Sequence, residues 1–306
     1  MAFGAFGGPT TAAPADPSAR KRSKVALFLL LPGVAYLALF FVVPLVSLFV
    51  TALKSPIPGG GKGAYQFDFV WQNYPNYFVD NGEVLVRTGI YALAATVLAL
   101  LFSYPLAYFI GVTLRRFPLL QALGLTLVIA PFFISFLLRT FAWKQLLADE
   151  GVVLGSLKAI SAIGPDAQFN GTPGAVIFGI AYNFIPFMTL PIYASLEKLD
   201  LRYVEAGGDL YANPVRTFFA VTLPLSAPGV ISGTLLTFIP ASGDYINASN
   251  AFLGGSDTTM LGNVIEKRFL SSEDYPQVAT LSVILMAFIL ILIAIYLRRT
   301  DTEELI

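Results

Sequence analysis

Six stretches of the chain are apolar for long enough to cross a bilayer. They run over 25–50, 88–112, 119–138, 175–193, 218–239 and 278–297, and a span needs about 20 such residues. Backbone polar groups in hydrocarbon must be paired internally, so long continuous apolar runs predict helices. Six helices put both chain ends on one side. The connections differ in character. Residues 54–87 and 143–174 form loops on the far side, while 195–217 is the longest connection on the side of the termini. That last segment reads as helical: Glu197, Lys198 and Leu199, then Tyr203, Val204, Glu205 and Ala206, are followed by Asn213-Pro214 as a stop and a new start.

Prolines punctuate these runs, among them Pro32, Pro44, Pro131, Pro186, Pro191, Pro224 and Pro240. Each removes a helical hydrogen bond, which suits helices that bend. Residues 1–24 carry no apolar periodicity and end in Arg20, Lys21, Arg22 and Lys24; they are expected to form a disordered tail before an uncleaved first helix over 25–53. The remaining boundaries follow: a core of five helices over 88–297 and a short tail over 298–306.

Composition agrees. The chain has 306 residues, 56% hydrophobic and 12% charged, with a mean hydropathy of +0.71. Soluble domains carry about 25% charged residues, so most of this surface must face lipid. There is no Cys and no His, which excludes thiolate chemistry, Ser-His-Asp triads and imidazole-ligated metals. The sequence contains no phosphate-binding G-x-x-x-x-G-K-[ST] loop. An enzyme is not expected, nor a nucleic-acid binder at zero net charge. Placing the amino terminus inside puts eleven of the nineteen Lys and Arg on the inner side, including the pairs Arg115-Arg116 and Arg298-Arg299. Basic residues favour the cytoplasmic side, so both termini are expected there.

The inner connection carries Glu205-Ala206-Gly207-Gly208-Asp209-Leu210, then Phe218, Leu223-Pro224-Leu225 and Pro228-Gly229-Val230. This register resembles the EAA signature of the membrane subunits of binding-protein-dependent ABC importers. Two positions depart from it: Gly207 stands where the family has Ala, and Tyr211 where it has Gly. The expectation is that Tyr211 with Asn213-Pro214 turns the chain in another way. Further segments, including Leu138 to Trp143, Ile185 to Met188 and Gly262 to Ile265, resemble the spermidine/putrescine permease family from about 88 onwards.

What the resemblance implies is an all-α integral membrane protein of six transmembrane helices with the type I ABC importer permease fold. It would pair with a second homologous permease, a cytoplasmic ABC ATPase dimer and an extracytoplasmic polyamine-binding protein, in a bacterial inner membrane. No cofactor would sit in this chain, because ATP and Mg belong to the ATPase. A coupling helix would carry Glu205, Ala206, Gly207, Asp209, Leu210 and Tyr211 into the ATPase.

A polyamine passage needs carboxylates or carbonyls for ammonium groups and aromatic faces for cation–π contact. Candidates are Asp244 and Tyr245 after the fifth run, Tyr182 and Asn183 within the fourth, and Trp143 after the third. Asp244 reads as a cation site, an outer-mouth contact or a solvated loop residue. Tyr182 and Asn183 offer oxygens to a substrate or hydrogen bonds between helices, and Trp143 is a membrane-belt residue or a gate. Arg139 is expected to snorkel outward or pair with an outer carboxylate. The rival readings are a permease for another small solute and an ion-coupled secondary transporter. The latter calls for mid-span acidic residues and an inverted repeat, and neither is evident.

Overall fold

The computed structural model describes residues 24–299, with side chains from 29 to 298. The expected amino-terminal tail and most of the carboxy-terminal one lie outside the described residues. The chain divides into two units after Leu48. The first holds α1 (Lys24–Leu37), a π-helical turn (Ala38–Val42) and the start of α2 (Val43–Ala52). Pro44 has no N–H to offer Phe40, and just before it the ladder widens so that Val43 N–H meets the Ala38 carbonyl.

The second unit opens with a short antiparallel pair, β1 (Lys54–Pro56) and β2 (Tyr65–Phe67), in the register Lys54 with Phe67 and Pro56 with Tyr65. Next comes α3 (Asn73–Tyr108), which continues to Arg116 as one 44-residue helix. It starts well before 88, because Asn73 Nδ2 ties its first turn to the carbonyls of Ala52 and Lys54 at 2.9 and 3.2 Å. The rest of the unit is α4 (Pro118–Ile129), α5 (Phe136–Leu146), α6 (Val152–Ala159), α7 (Pro173–Lys198), α8 (Arg202–Asp209), α9 (Pro214–Thr217), α10 (Leu223–Leu225), α11 (Ala227–Ser242), α12 (Leu261–Lys267) and α13 (Tyr275–Arg299).

Four helices are long and apolar enough to cross a membrane by themselves, and there are six spans when each of two bent pairs counts as one. Those pairs interrupt the runs over 119–138 and 218–239, whose prolines suited helices that bend, and they do so sharply. Pro118–Phe133 and Phe136–Leu146 meet at 96°, because Ile134 and Ser135 take extended ψ angles of 138° and 136°. Pro214–Leu225 and Ala227–Ser242 meet at 67° across Ser226, where ψ falls to 0°. Pro186 and Pro191, by contrast, lie inside an unbroken α7.

The core is formed by α3, α7 and α11. Ala92, Ala95 and Ala99 of α3 are fully buried, as are Ile180, Met188 and Leu196 of α7. Helix α11 lies directly on the α7 backbone: a Cβ at Gly229 would sit 2.6 Å from the Pro191 carbonyl oxygen, and one at Gly233 would sit 2.9 Å from that of Met188. A four-residue spacing of small residues permits such close crossings where the hydrophobic effect cannot drive helices together.

Candidate functional site

The connection over 195–217 hangs between α7 and the chain that leads to α11, two helices that cross closely at Gly229 and Gly233. Helix α7 ends at Lys198, where the Leu199 carbonyl accepts from Arg115 Nη1 at 2.9 Å. One turn earlier, the Tyr193 hydroxyl donates to Glu197 Oε1 at 2.6 Å and accepts from Gln121 Nε2 at 3.0 Å. The end of α7 is thereby fastened to the end of α3 and the start of α4. After it, Asp200 Oδ1 accepts from Arg202 N at 3.0 Å and opens α8.

No residue of α8 is buried. Glu205 is exposed, and its side chain makes no hydrogen bond or ion pair within the described residues. Ala206, Asp209 and Leu210 are likewise exposed, Leu210 at 80%. Gly207 faces inward, and a Cβ there would come within 2.9 Å of Thr217 Cγ2. The departure from Ala in the signature thus has a packing reason.

Helix α8 closes with a Schellman motif: Ala212 N–H reaches the Gly207 carbonyl at 3.1 Å and Tyr211 N–H that of Gly208 at 2.9 Å. The residue that turns the chain is Tyr211 itself, at φ +59°. This corrects the expectation that the chain would turn another way. A side chain other than Gly costs about 1–2 kcal/mol in that conformation. Asn213 then caps the next helix, accepting from Arg216 N at 2.7 Å, with Pro214 at its first position.

From there the chain passes through a π turn (Phe218–Thr222) and α10 to the bend at Ser226. The Ser226 hydroxyl lies 2.7 Å from that of Tyr104 on α3, and the Phe218 ring meets Tyr104 edge-on at 5.3 Å. Helix α8 is thus joined to α7 at one end and, through α9 and α10, to the bend at Ser226 at the other.

The candidates for a substrate path gather in two neighbourhoods. Trp143 packs edge-on against Phe178 and Tyr182, at 4.8 and 5.1 Å. It serves helix packing between α5 and α7, where the sequence suggested a belt residue or a gate. Tyr182 also lines a cavity of about 320 Å³ with Pro131, Ile185 and Pro186. Asn183, 1% exposed, donates to Thr140 Oγ1, the Gly179 carbonyl and Asn247 Oδ1 at 3.1, 3.0 and 3.3 Å. It acts as a bond between helices.

Asn247 carries the cluster on to Asp244. Asp244 Oδ2 accepts from Asn247 Nδ2 at 2.8 Å, and Oδ1 accepts from Asn247 N at 2.9 Å and Ala248 N at 3.4 Å. The carboxylate is only 6% exposed. It shapes the turn after α11 and is not open to a passing cation in this conformation. Tyr245, beside it, is 44% exposed.

Arg139 is also corrected. It neither reaches outward nor meets a carboxylate: it is 7% exposed, its guanidinium carbon lies 5.9 and 5.7 Å from the Phe132 and Phe136 rings, and Nε and Nη1 have no acceptor.

Sequence reasoning gave no role to Asn247 and Ser226, and it named Thr140 and Gly229 only as parts of resembling segments, not as a buried hydrogen-bonding group and a helix crossing. The Asp244-x-x-Asn247 and Gly229-x-x-x-Gly233 spacings were the available signals. It also missed a polar cavity of about 650 Å³ walled by Asn81, Asn250, Asn263, Glu266, Lys267 and Arg268, in the part of the chain that joins α11 to α13.

Residues 103–299 match the family described as binding-protein-dependent transport system inner membrane component. The chain is 35% identical over 261 residues to the spermidine/putrescine transport system permease protein PotB of Haemophilus influenzae, covering 85% of this chain and 89% of that one. It is 34% identical over 237 residues to the Escherichia coli protein of the same name, covering 76% and 83%. Among solved structures, a chain of the bacterial alginate ABC transporter in complex with an alginate pentasaccharide-bound periplasmic protein superimposes with a TM-score of 0.62 at 17% identity, covering 92% of this chain and 96% of that one. At that identity the likeness speaks for the fold.

Proposed function

Because the chain belongs to the family of binding-protein-dependent transport system inner membrane components, we propose that it forms half of the membrane passage of an ATP-driven importer of polyamines such as spermidine and putrescine. The observation that carries the substrate is the 35% identity to a spermidine/putrescine permease across 85% of the chain. The partners in this reading are a second permease, a cytoplasmic ATPase dimer that holds ATP and Mg, and an extracytoplasmic binding protein.

Helix α8, with Glu205, Ala206, Gly207, Asp209, Leu210 and Tyr211, is the part offered to the ATPase, which places it and both termini in the cytoplasm. The close crossing at Gly229 and the Tyr104–Ser226 contact make α7 and α11 respond together when α8 is pushed. The passage then alternates between its two openings by a rigid shift of packed helices. Tyr182 and Tyr245 are the candidates to meet an ammonium group, by ring face and hydroxyl. Asn183 and Asp244 hold the wall behind them, and Trp143 fixes Tyr182.

The test is reconstitution of both permeases with the ATPase and binding protein in nanodiscs, reading solute-stimulated ATP turnover. Spermidine or putrescine should stimulate it. Stimulation by sugars or neutral amino acids without either polyamine overturns the substrate. One observation favours a second reading: Arg139, buried without an acceptor, suits an anionic solute, and small carboxylates in the same assay decide between the two.

A further inference from the structure

Among the described residues, four other than glycine have positive φ: Phe69, Ser161, Tyr211 and Glu273. The Phe69 ring meets Phe67 edge-on at 6.4 Å, the Glu273 carbonyl accepts from the Tyr65 hydroxyl at 2.8 Å, and the Ser161 N–H donates to the Lys158 carbonyl at 3.0 Å. The Tyr211 N–H donates to the Gly208 carbonyl at 2.9 Å within the turn, but the Tyr211 side chain is fully exposed and makes no hydrogen bond or ring contact with any described residue. A strained backbone under an unsupported aromatic ring is a local conflict that the fold itself does not resolve. Such conflicts persist where something outside the chain gains from them.

We propose that Tyr211 is a specificity anchor for the ATPase subunit, its ring filling an apolar recess on that partner which a glycine at this position would leave empty. The proposal rests on the coupling reading of α8 and goes beyond it, since the signature places Gly at this position and so supplies no ring.

The surroundings favour a protein occupant. Leu210, Tyr203 and Val215 are 80, 60 and 64% exposed, so this segment offers further apolar surface, and no candidate span includes Tyr211. Glu205 and Asp209 are exposed in the same segment as Arg202 and Arg216, so the surface lacks the cluster of basic residues that an anionic lipid surface attracts. Buried aromatic anchors dominate interface energetics, and a left-handed turn presents the ring clear of its own helix.

The experiment titrates the purified ATPase subunit of the transporter against the permease pair in nanodiscs. Tyr211→Gly should raise or leave unchanged the thermal midpoint of the permease, because Gly suits the turn, while weakening ATPase binding by about tenfold or more. Tyr211→Phe should bind within about threefold of the parent. Parent-like binding by Tyr211→Gly overturns the proposal, as does a loss confined to adhesion on vesicles rich in anionic lipid. A parent that binds no ATPase overturns the coupling reading and this proposal together, so the two failures are distinguishable.

Discussion

The middle of α7 and the connection beyond its end follow opposite rules. Within the helix, Asn183 Nδ2 is closed into a cluster with Thr140, Asn247 and Asp244, and each of these side chains finds a partner inside the chain. Beyond its end, α8 and the turn after it expose Glu205, Asp209, Leu210 and Tyr211 with no partner for those side chains among the described residues. Burial makes an unmet hydrogen bond costly, so polar groups in the first region are architecture. Water tolerates the second region as it stands, and what it lacks points to another molecule.

That comparison is sharpened first by Asn183→Ala. Deleting the amide leaves Thr140 and Asn247 short of a partner, and the variant should lose about 2 kcal/mol of stability, read from thermal or denaturant unfolding in nanodiscs. A loss below about 0.5 kcal/mol would mean that the cluster does not hold the helices.

The second test uses pH. Burial pushes the Asp244 carboxyl up from 3.8 to about 6, against hydrogen bonds from Asn247 and Ala248 that pull it down. The folded state then prefers the protonated acid. Its contribution is full below the unfolded value of 3.8 and is lost as pH rises through about 6. The parent should therefore lose stability relative to Asp244→Asn as pH is raised from about 4 to about 7. A constant difference between the two melting curves over that window would show that Asp244 does not titrate there.

The smallest effect on stability is expected at Glu205. Glu205→Ala removes an exposed carboxylate from the first turn of α8 and should change unfolding by about 0.5 kcal/mol or less. Solute-stimulated ATP turnover of the assembled transporter should nevertheless fall by roughly tenfold or more. A large stability loss would mean that α8 belongs to the architecture after all, and unchanged turnover would remove Glu205 from the coupling path.

Much of this was legible beforehand. Apolar run length located every span, because a bilayer sets a minimum length that sequence alone displays. The helical inner connection was legible from Tyr203 to Ala206 and from the Asn213-Pro214 stop. The bends at Ile134–Ser135 and Ser226 were not: each lies near prolines, yet Pro186 and Pro191 leave α7 unbroken, so proline marks where a helix can give way but not whether it does. Asp244 was legible as a carboxylate near the apolar layer but not as the acceptor of its own turn, since that depends on Asn247 folding back over it. Tyr211 was legible as a departure from a signature. That it adopts the left-handed turn itself became clear only from the backbone.

The sequence by itself determined that this chain lives in lipid, crosses it by helices, has no thiolate or imidazole chemistry and carries one helical connection between its apolar runs, because hydropathy, spacing and the absence of His and Cys are properties of the chain taken linearly. Tertiary structure alone decided which polar side chains are free to meet anything. A hydrogen bond between Asn183 and Thr140, or a glycine seated on the Pro191 carbonyl, joins residues far apart in the chain. Whether a carboxylate, a guanidinium or a ring is spent within the fold or left open outside it depends on those meetings.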